Sequence, residues 1–327
     1  MAAILEGLGA AVPPRAVTND ELASRLQTTD AWVRSRTGIA QRHVAEPQVA
    51  TADLAVEAGA AALKSAGGGD VDVVLLATTT PDRILPSTAP EVAARLGLPQ
   101  VGAFDINGAC AGFVYGLATA AGMLTARIVE RVLVIGSETM TRFVNPLDRA
   151  TAVLFGDGAG AVVLRRGARH ELGAVGPFDL GTDGELADLL AVPAGGSRRP
   201  ADTATVAEGA HWLSMDGKET YRQAVRRMSE SSRRVLARAG LGVDEVDRLV
   251  GHQANARILD AVADRLGIPP ERRVVNVERY GNTSAASIPL ALADAGLQPG
   301  QRVLLTAFGA GLSWGSTLLT WPELASA

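Results

Sequence analysis

Ala62-Leu63-Lys64-Ser65-Ala66-Gly67 has an echo in the second half of the chain, Val235-Leu236-Ala237-Arg238-Ala239-Gly240, and that echo decides the fold. Each hexad leads to a Val-Asp pair and an apolar run, Val71-Asp-Val-Val-Leu-Leu-Ala77 in the first case and Val246-Asp-Arg-Leu-Val-Gly-His252 in the second. Two more pairs follow in the same order. Arg95-Leu-Gly-Leu-Pro99 returns as Arg265-Leu-Gly-Ile-Pro269, and Arg131-Val-Leu-Val-Ile-Gly136 returns as Arg302-Val-Leu-Leu-Thr-Ala307. A separation of about 170 residues, near half the chain, marks an internal duplication. Apolar strands alternating with helical stretches make each copy rich in βαβ units. The expected architecture is α/β, in two halves, 1–168 and 169–327, meeting near Arg165 to Gly173.

The repeat has a chemical consequence. In the first half it leads through a strand at Val101 to Ile106 into Asp105-Ile-Asn-Gly-Ala-Cys110-Ala-Gly-Phe-Val-Tyr115, where a small-residue helix begins. In the second it leads through a strand expected from Arg273 to Val277 into Tyr280-Gly281-Asn282-Thr283 and another small-residue helix. Cys110 and Asn282 thus fall in equivalent strand-to-helix turns, which face each other if the halves pack about a pseudo-twofold axis. His252 closes a strand on the same side. Open α/β sheets hold their sites beyond the carboxyl ends of strands, so the three side chains are expected to converge.

Cys110 is the only cysteine in 327 residues, which excludes an intrachain disulfide or a multi-cysteine metal site. Two readings of it stay open: a nucleophile whose thiolate is stabilised by a helix N-terminus, or a small buried hydrophobe. In isolation His252 reads as a core histidine and Asn282 as a turn or cap residue. His43, His170 and His211 show no partner pattern and read as structural.

Composition narrows the class. Hydrophobic residues make up 47% and aromatic residues 4% of the chain, with 36 glycines, which suits closely packed helices in a compact α/β protein. A net charge of −4 offers no field to recruit nucleic acid or an anionic membrane. Basic residues are dense from Arg222 to Arg238 and recur at Arg257 and Arg265, a face for an acidic partner or a solvated helix surface. The stretch from Ile106 to Ala126 is uncharged and long enough to cross a bilayer. It carries Asn107, Tyr115, Thr119 and Thr125 without a flanking basic cluster, and so reads as a helix buried inside a large core. The N-terminus has Glu6 and no basic leader, so it reads as a first strand, and a soluble cytoplasmic protein is expected. Gly156-Asp-Gly-Ala-Gly160 lacks the spacing of a dinucleotide fingerprint and reads as a tight turn beside the site.

Asn-Gly-Ala-Cys110-Ala-Gly-Phe, Gly-His252-Gln-Ala-Asn-Ala-Arg-Ile and Tyr-Gly-Asn282-Thr-Ser-Ala-Ala-Ser-Ile-Pro together resemble the β-ketoacyl-acyl carrier protein synthase III family of the thiolase-like superfamily. The resemblance runs end to end and includes Trp32-Val-Arg-Ser-Arg36-Thr-Gly-Ile, Phe155-Gly-Asp-Gly-Ala-Gly-Ala161 and Ala307-Phe-Gly-Ala-Gly-Leu-Ser-Trp-Gly315. It implies the five-layered αβαβα thiolase-like fold and a homodimer. The implied reaction is a decarboxylative Claisen condensation that starts fatty-acid or polyketide synthesis. An acyl group passes from an acyl-CoA primer to Cys110, and a malonyl thioester then gives a 3-ketoacyl thioester and CO₂.

The chemistry accounts for the residue types. A free thiol titrates near ~8.5, so attack on a thioester is helped by a helix N-terminus and a nearby imidazole. Loss of CO₂ leaves an enolate whose charge builds on the thioester oxygen, and two fixed neutral donors stabilise it. The resemblance gives these roles to His252 and Asn282. Thiolases need a second cysteine, which this chain lacks. Backbone N–H groups of Cys110 and of Ala310, in the Gly309-Ala310-Gly311 turn, would hold the oxyanion of acyl transfer.

Further positions carry over from the family. Trp32 and Arg149 match those that sandwich the coenzyme A adenine, while Arg36, Asn255 and Arg257 match its phosphate and pantetheine route; guanidinium stacking and phosphate pairing suit that ligand. Arg222, Arg257 and Arg265 would face an acidic acyl carrier protein. No cofactor is implied beyond coenzyme A thioesters as substrates, and no metal. Leu85 lies where many members place a phenylalanine that closes the partner's acyl pocket, so longer or branched primers are expected. The segments Leu190-Ala-Val-Pro-Ala-Gly-Gly-Ser-Arg198, Thr80-Pro-Asp-Arg83 and Asn145-Pro-Leu-Asp-Arg149 look like a subgroup that makes acetoacetyl-CoA from malonyl-CoA, whereas Arg257 leans towards a carrier-protein acceptor. Acyl transfer to a non-malonyl acceptor and a non-catalytic scaffold subunit are the remaining alternatives.

Overall fold

The computed structural model describes residues 1–98 and 100–325; Pro99, which ends the first Arg-Leu-Gly-Leu-Pro run, lies outside the described residues. Nine strands form one hydrogen-bonded array: β1 (Ala2–Ala11), β2 (Val73–Ala77), β3 (Gly102–Ile106), β4 (Arg131–Thr139), β5 (Asp157–Gly167), β6 (Ala174–Thr182), β7 (Arg248–Gly251), β8 (Arg302–Gly309) and β9 (Ser313–Thr320). Their spatial order is β3-β2-β4-β5-β1-β6-β9-β8-β7. The seam is the short antiparallel pairing of β1 with β6, through Ala3 with Val175 and Ile4 with Ala174. Outward from it, each half places its first, last, penultimate and second strands in the same order, as a duplication requires. The glycines that close the repeated hexads, Gly67 and Gly240, both adopt the left-handed conformation, with φ of 80° and 70°. That conformation strains any residue with a Cβ.

One expected strand is absent. From Arg273 to Val277 the chain makes a single bridge, Arg273 with Leu249, and turns into a short helix at Val277–Tyr280. The Gln253 side chain does the work of a neighbouring strand there. Its Nε2 donates to Val274 O at 3.1 Å, and its Oε1 accepts from the backbone N–H groups of Asn276 and Val277 at 2.9 and 3.3 Å. With those groups satisfied, a ladder is no longer needed.

Seven helices are used below: α1 (Asp30–Thr37), α2 (Thr51–Ser65), α3 (Ala89–Arg95), α4 (Gly112–Thr125), α5 (Gly217–Ala239), α6 (Ala256–Leu266) and α7 (Ser287–Asp294). The strands are buried on both faces, so they read as apolar runs; all of Val73 to Ala77 is buried. Leu75 points to a central core shared with Phe113, Val114 and Leu117 of α4, Ile288 and Leu292 of α7, and Val250 and Leu305 of the second half. Val74 and Leu76 point the other way, onto the Ala-rich face of α2 and onto Val92 of α3. On the far side Leu249, Leu304 and Leu318 pack under Val225, Met228 and Val235 of α5 and Val262 of α6. The layers are therefore α2 and α3, first-half sheet, α4 and α7, second-half sheet, α5 and α6: the five-layered αβαβα arrangement. Helix α4 carries no charge because both sheets cover it; burying each of its large apolar side chains stabilises by about 1.5–3 kcal/mol. Among the described residues no helix is long and apolar enough to cross a membrane.

Candidate active site

The two strand-to-helix turns meet at the centre of the molecule. Cys110 lies in a 3₁₀ turn, Ala109–Ala111, immediately ahead of α4, and is 8% exposed. Gly309, the last residue of β8, presses against it: a Cβ at Gly309 would lie 2.6 Å from Cys110 N. Only glycine leaves room there.

Burial pushes the Cys110 thiol up to about 12, and the nearby Glu138 carboxylate pushes in the same direction, while the neighbouring Ser284 side chain opposes the rise. The resting thiol is protonated. Burial thus outweighs the helix N-terminus in setting the thiol's state before substrate arrives.

His252 follows β7 directly and is 2% exposed. Burial drives its pKa down to about 3, so the imidazole is neutral. Its Nδ1 lies 2.7 Å from Ser287 Oγ, which also accepts the Gln253 N–H at 3.3 Å. Ser287 Oγ has no other acceptor for its proton among the described residues, so the hydroxyl is assigned as the donor to Nδ1, which places the imidazole hydrogen on Nε2. His252 is a hydrogen-bond donor into the cavity.

Asn282 is clamped by its backbone. Its N–H donates to Leu154 O at 2.8 Å, and its carbonyl accepts from Gly156 N at 3.0 Å. Its Oδ1 accepts from Ser284 N at 2.9 Å, which fixes the amide orientation and leaves Nδ2 as a donor. Gly156 serves a close backbone approach, since a Cβ there would lie 2.2 Å from Tyr280 O; the tight turn expected over residues 156–160 is instead the start of β5, where Asp157 to Gly160 pair with β4.

Cys110 and Phe155 line two cavities. One, of about 560 Å³, also contains His252, Asn282, Gly309 and Phe308, and leads past Arg36, Lys218, Arg222, Asn255 and Arg257. The other, of about 500 Å³, is lined by Met140, Phe143, Leu190, Val192, Leu213, Ser284 and Ala310. A passage edged by basic side chains and a second chamber, whose apolar lining is interrupted by Thr79, Thr80, Asn107, Ser284 and Ser313, thus meet at one sulfur.

The remaining expected residues are distributed unevenly. Trp32, on α1, has the Arg149 guanidinium 4.7 Å from its ring centre and that of Arg36 at 5.5 Å. These stacked groups flank the basic passage through Arg36. Asn255 caps α6 and donates Nδ2 to Arg36 O at 3.1 Å, so its side chain is committed to holding two elements together. Arg257 packs over Tyr221 at 5.7 Å. Arg222 is exposed at the passage, but Arg265 sits at the other end of α6, about 12 Å along the helix from Arg257. Leu85 is 85% exposed and lines neither cavity of its own chain.

Glu138 escaped the reading of the sequence. It lies near the end of β4, fully buried, and accepts hydrogen bonds from the hydroxyls of Thr78, Thr79, Thr80 and Ser284 and from the backbone N–H groups of Thr79 and Thr80. Burial raises its pKa and those donors oppose the rise. A signal existed: a carboxylate at the end of an apolar strand, beside a neighbouring strand that ends in three threonines. Ser287, which orients His252, lay unremarked inside a quoted motif. Among the described residues no group of three or more His, Cys, Asp or Glu side chains is placed to hold a metal.

Comparison with known proteins agrees with this geometry. Residues 104–184 match the family model for 3-oxoacyl-[acyl-carrier-protein (ACP)] synthase III, and residues 236–321 match the model for its C-terminal part. The β-ketoacyl-[acyl-carrier-protein] synthase III 5 of Streptomyces coelicolor is 55% identical, over 99% of this chain and 98% of its own. The crystal structure of the 3-oxoacyl-(acyl carrier protein) synthase III of Pseudomonas aeruginosa superposes with a TM-score of 0.93 at 48% identity, over the whole of both chains. The priming β-ketosynthase of the R1128 polyketide pathway superposes with a TM-score of 0.91 at 35% identity, over 98% of this chain and 97% of that one. With two duplicated halves closing on a cysteine, a histidine and an asparagine, the chain belongs to the β-ketoacyl-acyl carrier protein synthase III family of the thiolase-like superfamily, condensing acyltransferases that initiate fatty-acid or polyketide synthesis.

Proposed function

We propose that Cys110 takes an acyl group from an acyl-CoA primer, and that His252 and Asn282 then decarboxylate a malonyl thioester in the basic passage. The enolate so formed attacks the acyl-Cys110 carbonyl and releases a 3-ketoacyl thioester. One observation carries this reading: His252, its Nδ1 2.7 Å from Ser287 Oγ, shares a cavity with the Asn282 amide and Cys110, an arrangement in which a neutral imidazole donates from Nε2. Two neutral donors suit an enolate oxygen, and decarboxylation removes the need for a base at carbon. Backbone N–H groups of Cys110 and Ala310 receive the oxyanion of acyl transfer.

Trp32, Arg36, Arg149, Asn255 and Arg257 line the coenzyme A route in this proposal, with Asn255 acting through its backbone and its hold on Arg36. Arg222 and Arg257 meet an acyl carrier protein, and Arg265 broadens the same basic face further out. Substrates are thioesters and no further cofactor takes part. The second chamber takes the primer chain and has room for more than acetyl. The halves 1–168 and 169–327 are copies of one ancestral unit. A second copy of the chain pairs along β3, an edge strand with Phe104 39% exposed, and brings its Leu85 to the chamber. The reaction belongs in the cytoplasm, where coenzyme A thioesters and a reduced thiol coexist.

Steady-state turnover of malonyl carrier protein and of malonyl-CoA, with acetyl-, isobutyryl- and hexanoyl-CoA as primers, tests this function. Carrier-protein turnover with branched or longer primers is expected. A strict requirement for malonyl-CoA would make the chain an acetoacetyl-CoA synthase, and a strict acetyl preference would contradict the primer assignment.

A further inference from the structure

We propose that Glu138 accepts the Cys110 proton during acyl transfer, with Ser284 as the intervening hydroxyl. The inference rests on the acyl-Cys110 reading above and adds a residue to it. Three observations carry it. Ser284 Oγ donates to Glu138 Oε1 at 2.9 Å, and Ser284 lines the same chamber as Cys110. A serine has one proton to give; with that proton on Glu138, its lone pairs are left to accept the thiol S–H. His252 is committed as a donor through Nε2, with Nδ1 held by Ser287, so the nearest imidazole has no free nitrogen for the thiol proton.

The proposed step balances. As the Cys110 sulfur bonds to the thioester carbon, its S–H bond breaks and the proton passes to Ser284 Oγ. The Ser284 hydroxyl proton moves to Glu138 Oε1. When the tetrahedral intermediate collapses, the carbon–sulfur bond to coenzyme A breaks with its electron pair on the departing sulfur. The proton returns from Glu138 through Ser284 to that thiolate. Acyl-Cys110, free coenzyme A thiol and a Glu138 carboxylate remain. Glu138 suits this exchange because every neighbour in hydrogen-bonding reach is a donor, which favours the carboxylate, while full burial favours the acid. Glu138 touches no substrate atom and is a positioning and proton-holding residue.

The titratable groups facing the thiol are His252, after β7, and Glu138; the Thr78–Thr80 segment and the turns at Ala109 and Ser284 bring none. Asp105, on β3, is bound to the backbone N–H groups of Thr88 and Ala89. A pH profile of single-turnover acylation, read by intact mass at saturating acetyl-CoA, therefore tests the relay. In the wild type the rate should be nearly independent of pH between about 6 and 9, because the proton stays within the site. In Ser284→Ala the rate at pH 7 should fall by about 10²-fold and then rise tenfold per pH unit, as thiolate must form from solvent. Glu138→Gln should lose a similar factor, and the double variant no more than either single one. Ser284→Ala carries the test if Glu138→Gln fails to fold, since it removes one oxygen atom and keeps the backbone bond to Asn282. Equal rates and slopes in the wild type and Ser284→Ala, or fully additive losses, would overturn the relay. Absence of any wild-type adduct on Cys110 would instead overturn the acyl-enzyme reading.

Discussion

The turn from Asn107 to Gly112 and the turn from Asn282 to Ser287 are copies, yet only one bears a nucleophile. Each begins with an asparagine whose Oδ1 accepts the backbone N–H two residues on, at 3.4 Å in the first and 2.9 Å in the second. Each then holds a left-handed non-glycine residue, Ala109 with φ of 47° and Ser284 with φ of 49°. Such strain of about 1–3 kcal/mol persists where the surroundings over-determine it, as at functional sites. A 3₁₀ turn and a buried helix follow in both.

What differs is the strand end each turn faces. The first turn meets Gly309, which has no side chain, so the sulfur opens onto two cavities. The second meets the equivalent residue of the other half, Glu138, whose carboxylate fills the space and ties down Ser284. The internal repeat offers two matching turns. Glycine at one strand end leaves its turn open, and glutamate at the other closes its turn.

Four experiments bear on this contrast. The largest effect belongs to Cys110→Ser, which should abolish the acyl adduct seen by intact mass and lower condensation by about 10³-fold or more. Next, Gly309→Ala should give the open turn the crowding of the closed one. Its Cβ would meet Cys110 N at 2.6 Å, so the turn must shift, costing about 1–3 kcal/mol in urea unfolding and roughly 10² in acylation rate. Third, Ala285→Cys places a thiol at the position matching Cys110, in a turn whose main chain packs closely against Gly136. Intact mass should still show a single acyl group, and stability should fall by about 1 kcal/mol; a second acyl group would break the comparison.

The smallest effect concerns pH. With its pKa near 3, His252 stays neutral, so CO₂ release from a malonyl thioester should show no histidine limb between about pH 5 and pH 8. The unfolded chain binds a proton at this histidine below its ordinary 6.5, whereas the folded chain does so only near 3. The buried neutral ring therefore contributes stability above pH 6.5 that is lost as pH falls from there towards 3. His252→Gln should show a shallower acid loss of the urea midpoint than the wild type.

The internal repeat was legible because Arg-Leu-Gly and Arg-Val-Leu runs recur in both halves, and it led directly to the pairing of the two turns, whereas the five layers came from the family resemblance. The finer match was not legible. Asn282 corresponds to Asn107, and Cys110 to Ala285, since the cap geometry that sets the register appears only in three dimensions. The missing strand at Arg273 was hidden because Gln253, a side chain, satisfies its backbone groups. Glu138 was passed over because a charge at the end of an apolar run resembles a strand terminus; its six donors come from Thr78 to Thr80 and from Ser284, far away in sequence. The two open readings of Cys110 have a related cause: a helix end is visible in sequence, but the depth of burial over the sulfur is not.

The division of labour between the two turns can be tested by measuring acyl-Cys110 formation and CO₂ release separately in Asn282→Ala. The amide is a donor in decarboxylation alone, so acylation should stay within about threefold of the wild type while CO₂ release falls by about 10²–10³-fold. Equal loss of both half-reactions would contradict the account.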